Sequence, residues 1–512
     1  MSNLTGKHIS YWIDSTDSGQ FVTPESISLD GIAVDVVIVG AGITGLTTAW
    51  LLKKVGKTVA VLEANQVAGA ASGHTTAKVT SLHQLIYADL INNLGQEKAQ
   101  IYADSNQAGV KWIADLVEAE NIDCDYKSID VYTFAESDAD LKKIEEEYEA
   151  AVRLGLPASF VKETTLPFPI AGAVKFSHQG EFHPRKYLLH LAQKISGEGS
   201  FLFEKVRVES IEEGQPCQVK TGNGTILAGD VIVTTNIPSV EKGLFFAKAS
   251  AQRSYIVAAK IDPTQAPQGA YIGVGEGYRS LRTTPFQDGL LLLIGGEGHK
   301  VGTVNDTEAC YQKLEAYGRS RFGITNFDFR WSNQDMKSYD KLPFIGKATD
   351  SSDHLYVATG YDLWGMSKGT MAAMILTDLV RGYANPWAEL YTATRSTPFI
   401  TPGSIKNNTE TAVHWIGDRL QALQNTSFND VGRGEAKRLT IDGKQVAAYR
   451  DEQGEIHAVS AVCTHLGCVV NWNNGEKSWD CPCHGARFSC EGKVLQGPAV
   501  KDLEGISSMA RV

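Results

Sequence analysis

Four side chains near the C-terminus have the type and spacing to hold metal: Cys463 and His465 in Cys463-Thr-His465-Leu-Gly-Cys468, and Cys481 and His484 in Cys481-Pro-Cys483-His484-Gly485. Each short loop offers one thiolate and one imidazole. A single tetrahedral zinc accepts such a Cys2His2 set. A two-iron cluster accepts it as well, with both thiolates on one iron and both imidazoles on the other. In the second case neutral imidazoles replace anionic thiolates, the site loses negative charge, and reduction becomes easier. Of the eight cysteines, Cys463, Cys468, Cys481, Cys483 and Cys490 fall within the last fifty residues. Clustering of this kind marks a metal site, whereas a disulfide scaffold spreads its cysteines along the chain. Cys124, Cys217 and Cys310 read as small buried hydrophobes, and Cys490 as a packed core residue.

A second chemistry is written near the N-terminus. Gly40-Ala-Gly42-Ile43-Thr44-Gly45 lies between an apolar strand, Val34 to Val39, and a helix running to Lys54. Gly40 permits the tight turn, Gly42 lets the backbone approach a pyrophosphate, and Gly45 lets the helix pack on the sheet. The helix N-terminus supplies N–H groups and a positive dipole end to the phosphates. Glu63 closes the next strand, where a ribose diol would sit. Strand, helix and acid stand in register for a dinucleotide. The motif is N-terminal and has no second copy, which favours FAD over NAD.

The cluster motif, both loops with their extra cysteines and Gly497-Pro498-Ala499 downstream, resembles the Rieske [2Fe–2S] family as a set. That resemblance implies a cluster on Cys463, His465, Cys481 and His484, and a disulfide between Cys468 and Cys483. Respiratory members carry Ser and Tyr where this chain has Ala486 and Phe488, which have no hydroxyl to donate. Fewer donors stabilise the reduced cluster less, so a lower potential is expected.

Residues 33 to 395 resemble the D-amino-acid oxidase, glycine oxidase and sarcosine oxidase superfamily. The resemblance is carried by Glu63 and Ala68-Gly-Ala-Ala71-Ser72-Gly73, by Gly180-Glu-Phe-His183-Pro184, and by Val206 and Thr234-Thr235. Asp340-Lys-Leu-Pro343-Phe-Ile-Gly346 and Thr359-Gly360-Tyr361-Asp-Leu-Trp364-Gly365-Met366 complete it. It implies FAD contacts from Gly40, Gly42, Ile43, Thr44, Gly45, Glu63, Ala64, Ala71, Ser72, Val206, Thr235, Gly346, Gly360, Trp364, Gly365 and Met366. His74 reads as a polar residue of the cofactor loop, not a covalent anchor. By position, Tyr278, Arg282, Tyr361 and Trp364 are candidates for substrate contact, with Arg282 able to grip a carboxylate as a bidentate fork. An ion pair or an aromatic packing role competes for each. The run Ser72-Gly-His-Thr-Thr-Ala-Lys78 looks like a subgroup trait and has no mechanism attached to it.

These residues need elements to place them. The pattern predicts a βαβ unit over Ala33 to Ala64, mainly helix over 84–155, and short strands from Val206 to Thr235. It also predicts a sheet over Gln252 to Glu297, the strand Leu355 to Thr359, and a helix from Gly369 onward. The C-terminal part reads as strands with Asp442-Gly443 and Gln453-Gly454 as hairpin turns. The expected fold is α/β, a Rossmann-like FAD-binding domain with an interleaved α+β substrate domain, followed by a small all-β Rieske domain. The expected boundaries are an N-terminal extension 1–32, an oxidoreductase region 33–400, a linker and helix 401–425 (helix Thr411 to Leu423), and the Rieske domain 426–512. Within the oxidoreductase region, segments of about 33–85, 170–240 and 335–395 are assigned to FAD, and 86–169 and 241–334 to the substrate domain.

At 512 residues the chain exceeds one core. A formal charge of -11 without a basic run argues against nucleic acid. No secretory signal or run of about twenty apolar residues appears, so a cytoplasmic location without a membrane span is expected. A flavin takes two electrons as a hydride and a [2Fe–2S] cluster carries one at a time, so their fusion reads as a two-to-one electron transformer. The resemblance implies an oxidoreductase that dehydrogenates a small molecule, an amine or amino acid. Electrons would leave through exposed imidazole edges of His465 and His484 to a one-electron protein or quinone. The alternatives are a reductase or oxygenase with cluster-to-flavin flow, and a non-catalytic electron-transfer or redox-sensing module.

Overall fold

The computed structural model describes residues 4–17, 21–22, 28–238, 241–397, 401 and 427–506. The helix expected over Thr411 to Leu423 lies outside them. Among the described residues no helix is long and apolar enough to cross a membrane.

Two sheets build the oxidoreductase region. The first has eight strands and the central order Phe344–Lys347, Leu355–Thr359, Gly224–Val233, Ala33–Val39, Val59–Leu62, Phe201–Phe203. From Leu355–Thr359 to Phe201–Phe203 neighbouring strands run parallel. Their continuous Val and Ile runs are buried on both faces, as a parallel sheet covered on both sides demands. The helix Ile43–Lys54 follows the glycine turn and packs against Gly365–Val380. Gly369 makes that approach possible, since a Cβ there would meet Thr44 Oγ1 at 2.8 Å.

The second sheet has ten strands, with Phe329–Ser338, Ala249–Ile261, Gly289–Lys300, Ser280–Phe286 and Ala270–Gly273 in order, then Lys127–Ala135, Gly172–Glu181 and Lys78–Val79. The C-terminal part holds a three-stranded and a four-stranded antiparallel sheet, whose first two hairpins turn at Asp442-Gly443 and Gln453-Gly454.

The structure moves several expected boundaries. Lys127–Ala135 interrupts the predicted helical stretch, because its short alternation is masked by strongly helical neighbours on either side. Gly172–Glu181 was assigned to the FAD segments but hydrogen-bonds with Lys127–Ala135 in the second sheet. Phe329–Ser338 carries that sheet past residue 334. From the N-terminal extension, Lys7–His8 pairs parallel with Phe329–Ser338. Strand pairing partners are chosen by contacts hundreds of residues apart, which local patterns do not encode.

The C-terminal domain is docked on the oxidoreductase region through a buried polar seam. Arg253 Nη2 lies 3.4 Å from Asp480 Oδ2, both side chains almost fully buried. Tyr311 OH donates to Glu476 at 2.6 Å, Thr307 Oγ1 to Asn473 Oδ1 at 2.6 Å, and Asn471 Nδ2 to Gly302 O at 2.8 Å.

Candidate functional site

A cleft opens at the carboxyl end of the parallel strands, where open α/β sheets bind ligands. Its walls include Gly40, Gly42, Ile43 and Thr44 from the turn, Glu63 and Ala64 from the next strand end, and Ala71 and Ser72 from the following loop. Val206, Thr235, Tyr361, Gly365 and Met366 also line it. Gly40 sits at φ +106°, where a Cβ would press on Thr234 O at 2.9 Å. Ser72 Oγ accepts the N–H of Ile43 at 3.0 Å and pins the loop against the helix start. Glu63 accepts the N–H of Ala41 and of Asn65, both at 2.9 Å. Burial pushes its carboxyl upward, against those two hydrogen bonds and the charge of Arg207.

Gly45 stands behind the turn and serves its packing. Gly346 lies in its strand beside Leu379, and Gly360 turns the chain at φ +82° against Phe344, so neither lines the cleft. Trp364 also turns away and stacks on His83 with ring centroids 4.8 Å apart. Tyr361 OH is within 2.8 Å of Thr44 Oγ1, which ties the C-terminal loop to the helix start.

The carboxylate-gripping role expected of Arg282 is not available. Its guanidinium is buried and donates to the carbonyls of Thr76, Ala77, Phe182 and Thr283, with Glu181 Oε2 at 3.4 Å. With Nε and Nη1 taken up by main-chain carbonyls and the side chain 1% exposed, the guanidinium faces protein rather than an open site. Tyr278 is half-buried in the loop between the strands Ala270–Gly273 and Ser280–Phe286, near Asp362. His74 Nδ1 donates to Ala70 O at 3.0 Å, and the residue lies outside the cleft.

Local motifs did not show four further lining groups: Arg207, Asn236, Asn333 and Asp335. Asp335 accepts N–H groups from Met336 at 2.8 Å and Leu363 at 2.7 Å, and burial holds its carboxyl up to about 6. The cleft is also closed by the C-terminal domain itself, through Leu495, Gln496, Gly497, Ala499 and Val500.

At the second site the two loops converge. The rings of His465 and His484 lie 5.0 Å apart, edge to face. Backbone N–H groups of His465 and Leu466 point at the Cys463 sulfur, and those of Cys483 and His484 at the Cys481 sulfur. Cys468 and Cys483 form the disulfide that joins the loops, with Cα atoms 6.5 Å apart. Nδ1 of His484 is buried and has no hydrogen-bond partner among the described residues. A ring nitrogen held this way beside two thiols fits an iron ligand. Both imidazole edges are expected from the sequence to be exposed, but His484 is only 8% exposed, with the ring of Phe246 against it at 4.7 Å. Cys490 is not a core residue either; it is partly exposed, with Sγ 3.0 Å from Glu491 Oε1.

Ala486 and Phe488 are completely buried, and the carbonyl of Ala486 accepts the N–H of Cys481 at 2.8 Å. Ala486→Ser adds a donor beside the cluster loop. One new hydrogen bond of about 0.5–1.5 kcal/mol raises a one-electron potential by roughly 20–65 mV. Redox titration of the mutant and the parent protein checks this, and an unchanged potential refutes it.

Residues 35–379 match the profile of the FAD dependent oxidoreductase family, and residues 423–507 that of the Rieske [2Fe-2S] domain. Over 501 residues the chain is 36% identical to YhfW of Bacillus subtilis (strain 168), whose name describes a Rieske 2Fe-2S iron-sulfur protein, covering 97% of both chains. It is 24% identical over 370 residues to gamma-glutamylputrescine oxidoreductase of Escherichia coli (strain K12), covering 69% of this chain and 85% of that one. Among solved structures, glycine oxidase from Geobacillus kaustophilus superposes with a TM-score of 0.59 at 18% identity, covering 71% of this chain and 99% of that one. That last likeness speaks to the fold alone. The glycine turn and Glu63 are the residues that would hold FAD, which supplies hydride chemistry; the four loop ligands would hold the [2Fe–2S] cluster, which carries single electrons.

Proposed function

The chain belongs to the FAD dependent oxidoreductase family and ends in a Rieske domain, and from that premise we propose that it dehydrogenates an amine or amino acid and passes the electrons singly through the cluster to an external acceptor. One observation carries this reading: the cleft fitted to FAD takes part of its wall, residues 495–497, 499 and 500, from the domain that bears the expected cluster ligands. A redox site walled by its partner domain is built for exchange between the two. The gamma-glutamylputrescine relative adds support for an amine at the flavin.

Of the two substrate classes the cleft favours an amine. The charged side chains lining it are Glu63, Arg207 and Asp335. Arg207 is drawn to Glu63 and donates to Val494 O at 3.3 Å, which leaves Asp335 as the charge beside Leu363 and Gly365. Asp362 adds to the upward push on Asp335 and Lys368 opposes it. The Asp335 carboxylate is ionised above about pH 6, so affinity for a cationic amine rises as pH rises through that value. We place the reaction in the cytoplasm, with a one-electron carrier protein or a quinone as the acceptor.

The test is anaerobic visible and EPR spectroscopy of the purified protein with a panel of amines and amino acids. The expected result is flavin bleaching with a growing Rieske signal for an amine, more readily at pH 8 than at pH 5. If dithionite elicits the cluster signal and no panel member bleaches the flavin, the dehydrogenase reading fails.

A further inference from the structure

One strand separates the two redox sites. Along Phe329–Ser338 side chains alternate between faces. Asn333 and Asp335 line the flavin cleft, while the side chain of Gln334 between them reaches the C-terminal domain. There Gln334 Nε2 donates to Gly485 O at 2.7 Å, in a buried contact one residue from His484, one of the expected cluster ligands. Its Oε1 accepts from Arg253 Nη2 at 2.7 Å. Its main-chain carbonyl accepts from Asn236 Nδ2 at 2.8 Å, and Asn236 is itself a wall of the cleft. Gln334 is therefore hydrogen-bonded at three points, to the cleft on one side and to the cluster loop on the other.

Gly485 has no freedom at this contact. It sits at φ +79°, and a Cβ there would fall 2.4 Å from Ala251 Cβ and 2.9 Å from Gln334 Nε2. Ile237, another wall residue of the cleft, stands 3.5 Å from the same point. The cluster loop and the flavin cleft thus share a partition one residue thick, and a single side chain spans it.

We infer that Gln334 is a positioning residue that registers the cluster-binding loop against the flavin cleft, so that electrons exchanged between the two sites cross this one strand. The inference rests on the reading that flavin and cluster exchange electrons, and it goes further by naming where and by what they are held. For each electron given up by reduced flavin, one Fe(III) of the cluster becomes Fe(II). The two electrons taken with a substrate hydride would leave in two transfers, the one proton that came with them would go to solvent, and the external one-electron acceptor would reoxidise the iron between them. A Gln is suited to the place because its amide both donates and accepts, satisfying Gly485 O and the Arg253 guanidinium at once.

The experiment uses the full-length protein carrying both cofactors, with the flavin photoreduced under argon by EDTA as sacrificial electron donor, so that the enzyme's own substrate need not be known. Gln334→Met keeps the volume of the side chain and removes both side-chain hydrogen bonds. Flavin photoreduction and the amplitude of the dithionite-reduced Rieske signal are expected to match the parent protein. Reduction of the cluster after the flavin is expected to slow by roughly ten- to a hundredfold, the cost of an ångström-scale misplacement. Amide exchange around Gly485 should quicken in the same variant. Should Gln334→Met not load its cofactors, Gln334→Asn, one methylene short of Gly485, is expected to show the same slowing. Equal cluster-reduction rates in variant and parent overturn the role of Gln334. Absence of transfer in the parent overturns the exchange reading itself, whatever the substrate.

Discussion

Asp480→Ala is expected to destabilise the docked C-terminal domain by about 3–5 kcal/mol, the cost of leaving a buried charge without its partner. Asp480 stands at the end of the strand Ser478–Asp480, immediately before Cys481, one of the expected cluster ligands. Its two oxygens face Arg253 Nη2 at 3.4 Å and Arg487 Nε at 3.3 Å, and they accept hydrogen bonds from Asn473 and Ser478, both at 2.8 Å. Glu476 also approaches Arg487, at 3.7 Å, but Arg253 has Asp480 as the carboxylate beside it, with Ser332 and Gln334 as neutral acceptors. Removing Asp480 therefore leaves the buried guanidinium of Arg253 without its nearest carboxylate, with only the more distant charge of Glu476 acting on it. Urea titration followed at the cluster's visible band measures the loss. A change below about 1 kcal/mol would show that the seam is solvated and the pair weak. The double replacement Arg253→Met with Asp480→Leu should recover most of the loss, because two apolar groups of similar bulk carry no desolvation penalty.

The same carboxyl sets the acid limit of docking. Burial raises the Asp480 carboxyl, yet the charges of Arg253 and Arg487 outweigh it and the net shift is downward. A carboxylate lowered on folding contributes stability that is fully present above its unfolded value, about 3.9, and is lost as pH falls through the folded one. The docked state should thus persist at pH 5 and come apart only below about pH 4. Amide exchange over residues 478–488 across that range reports it.

The second large effect is expected at Gly45→Ala: protein that carries its cluster and little or no flavin. A Cβ at this position would lie 2.0 Å from Gly40 O and 2.8 Å from Thr234 Oγ1. Both belong to the turn and the strand end that shape the cleft, and neither is the far end of a flexible chain. The helix must back away from the sheet, at or above the ~1–3 kcal/mol usual for overpacking. Its N-terminus then withdraws from the position where a pyrophosphate would lie. The flavin-to-protein ratio after purification, with the dithionite-reduced Rieske signal as the control for folding, measures this. A stoichiometric flavin content would mean that the turn yields without harm.

Residue type and short spacing were enough to mark a metal site and a dinucleotide turn, and the choice of a Rieske cluster over zinc came from the family resemblance of the two loops taken as a set. A single Cys-x-His says little, but two such loops with their extra cysteines point to a ligand set, and the glycines at 40, 42 and 45 point to a backbone that something must approach. The strands on either side were legible for the same reason, since a run such as Val-Val-Ile-Val needs only local burial to be read. Arg282 stands open between two roles in the sequence because its type fits both, and the carbonyls of Thr76, Ala77 and Phe182 around it favour the structural one. Asp335 carries no motif; it gains meaning from the N–H of Leu363, 28 residues away.

What only the tertiary structure decided is the relation between the two halves. The packing of Phe246 on His484, the closure of the flavin cleft by residues 495–497, 499 and 500, and the bridge from Asn236 through Gln334 to Gly485 all join distant parts of the chain. The two steps of that bridge span 98 and 151 residues. Each local motif is specified by the chemistry of a few adjacent side chains, and so it stands in the sequence. Docking is specified by which buried donors find acceptors across a seam, a condition that no segment satisfies by itself and that exists only once both domains have folded.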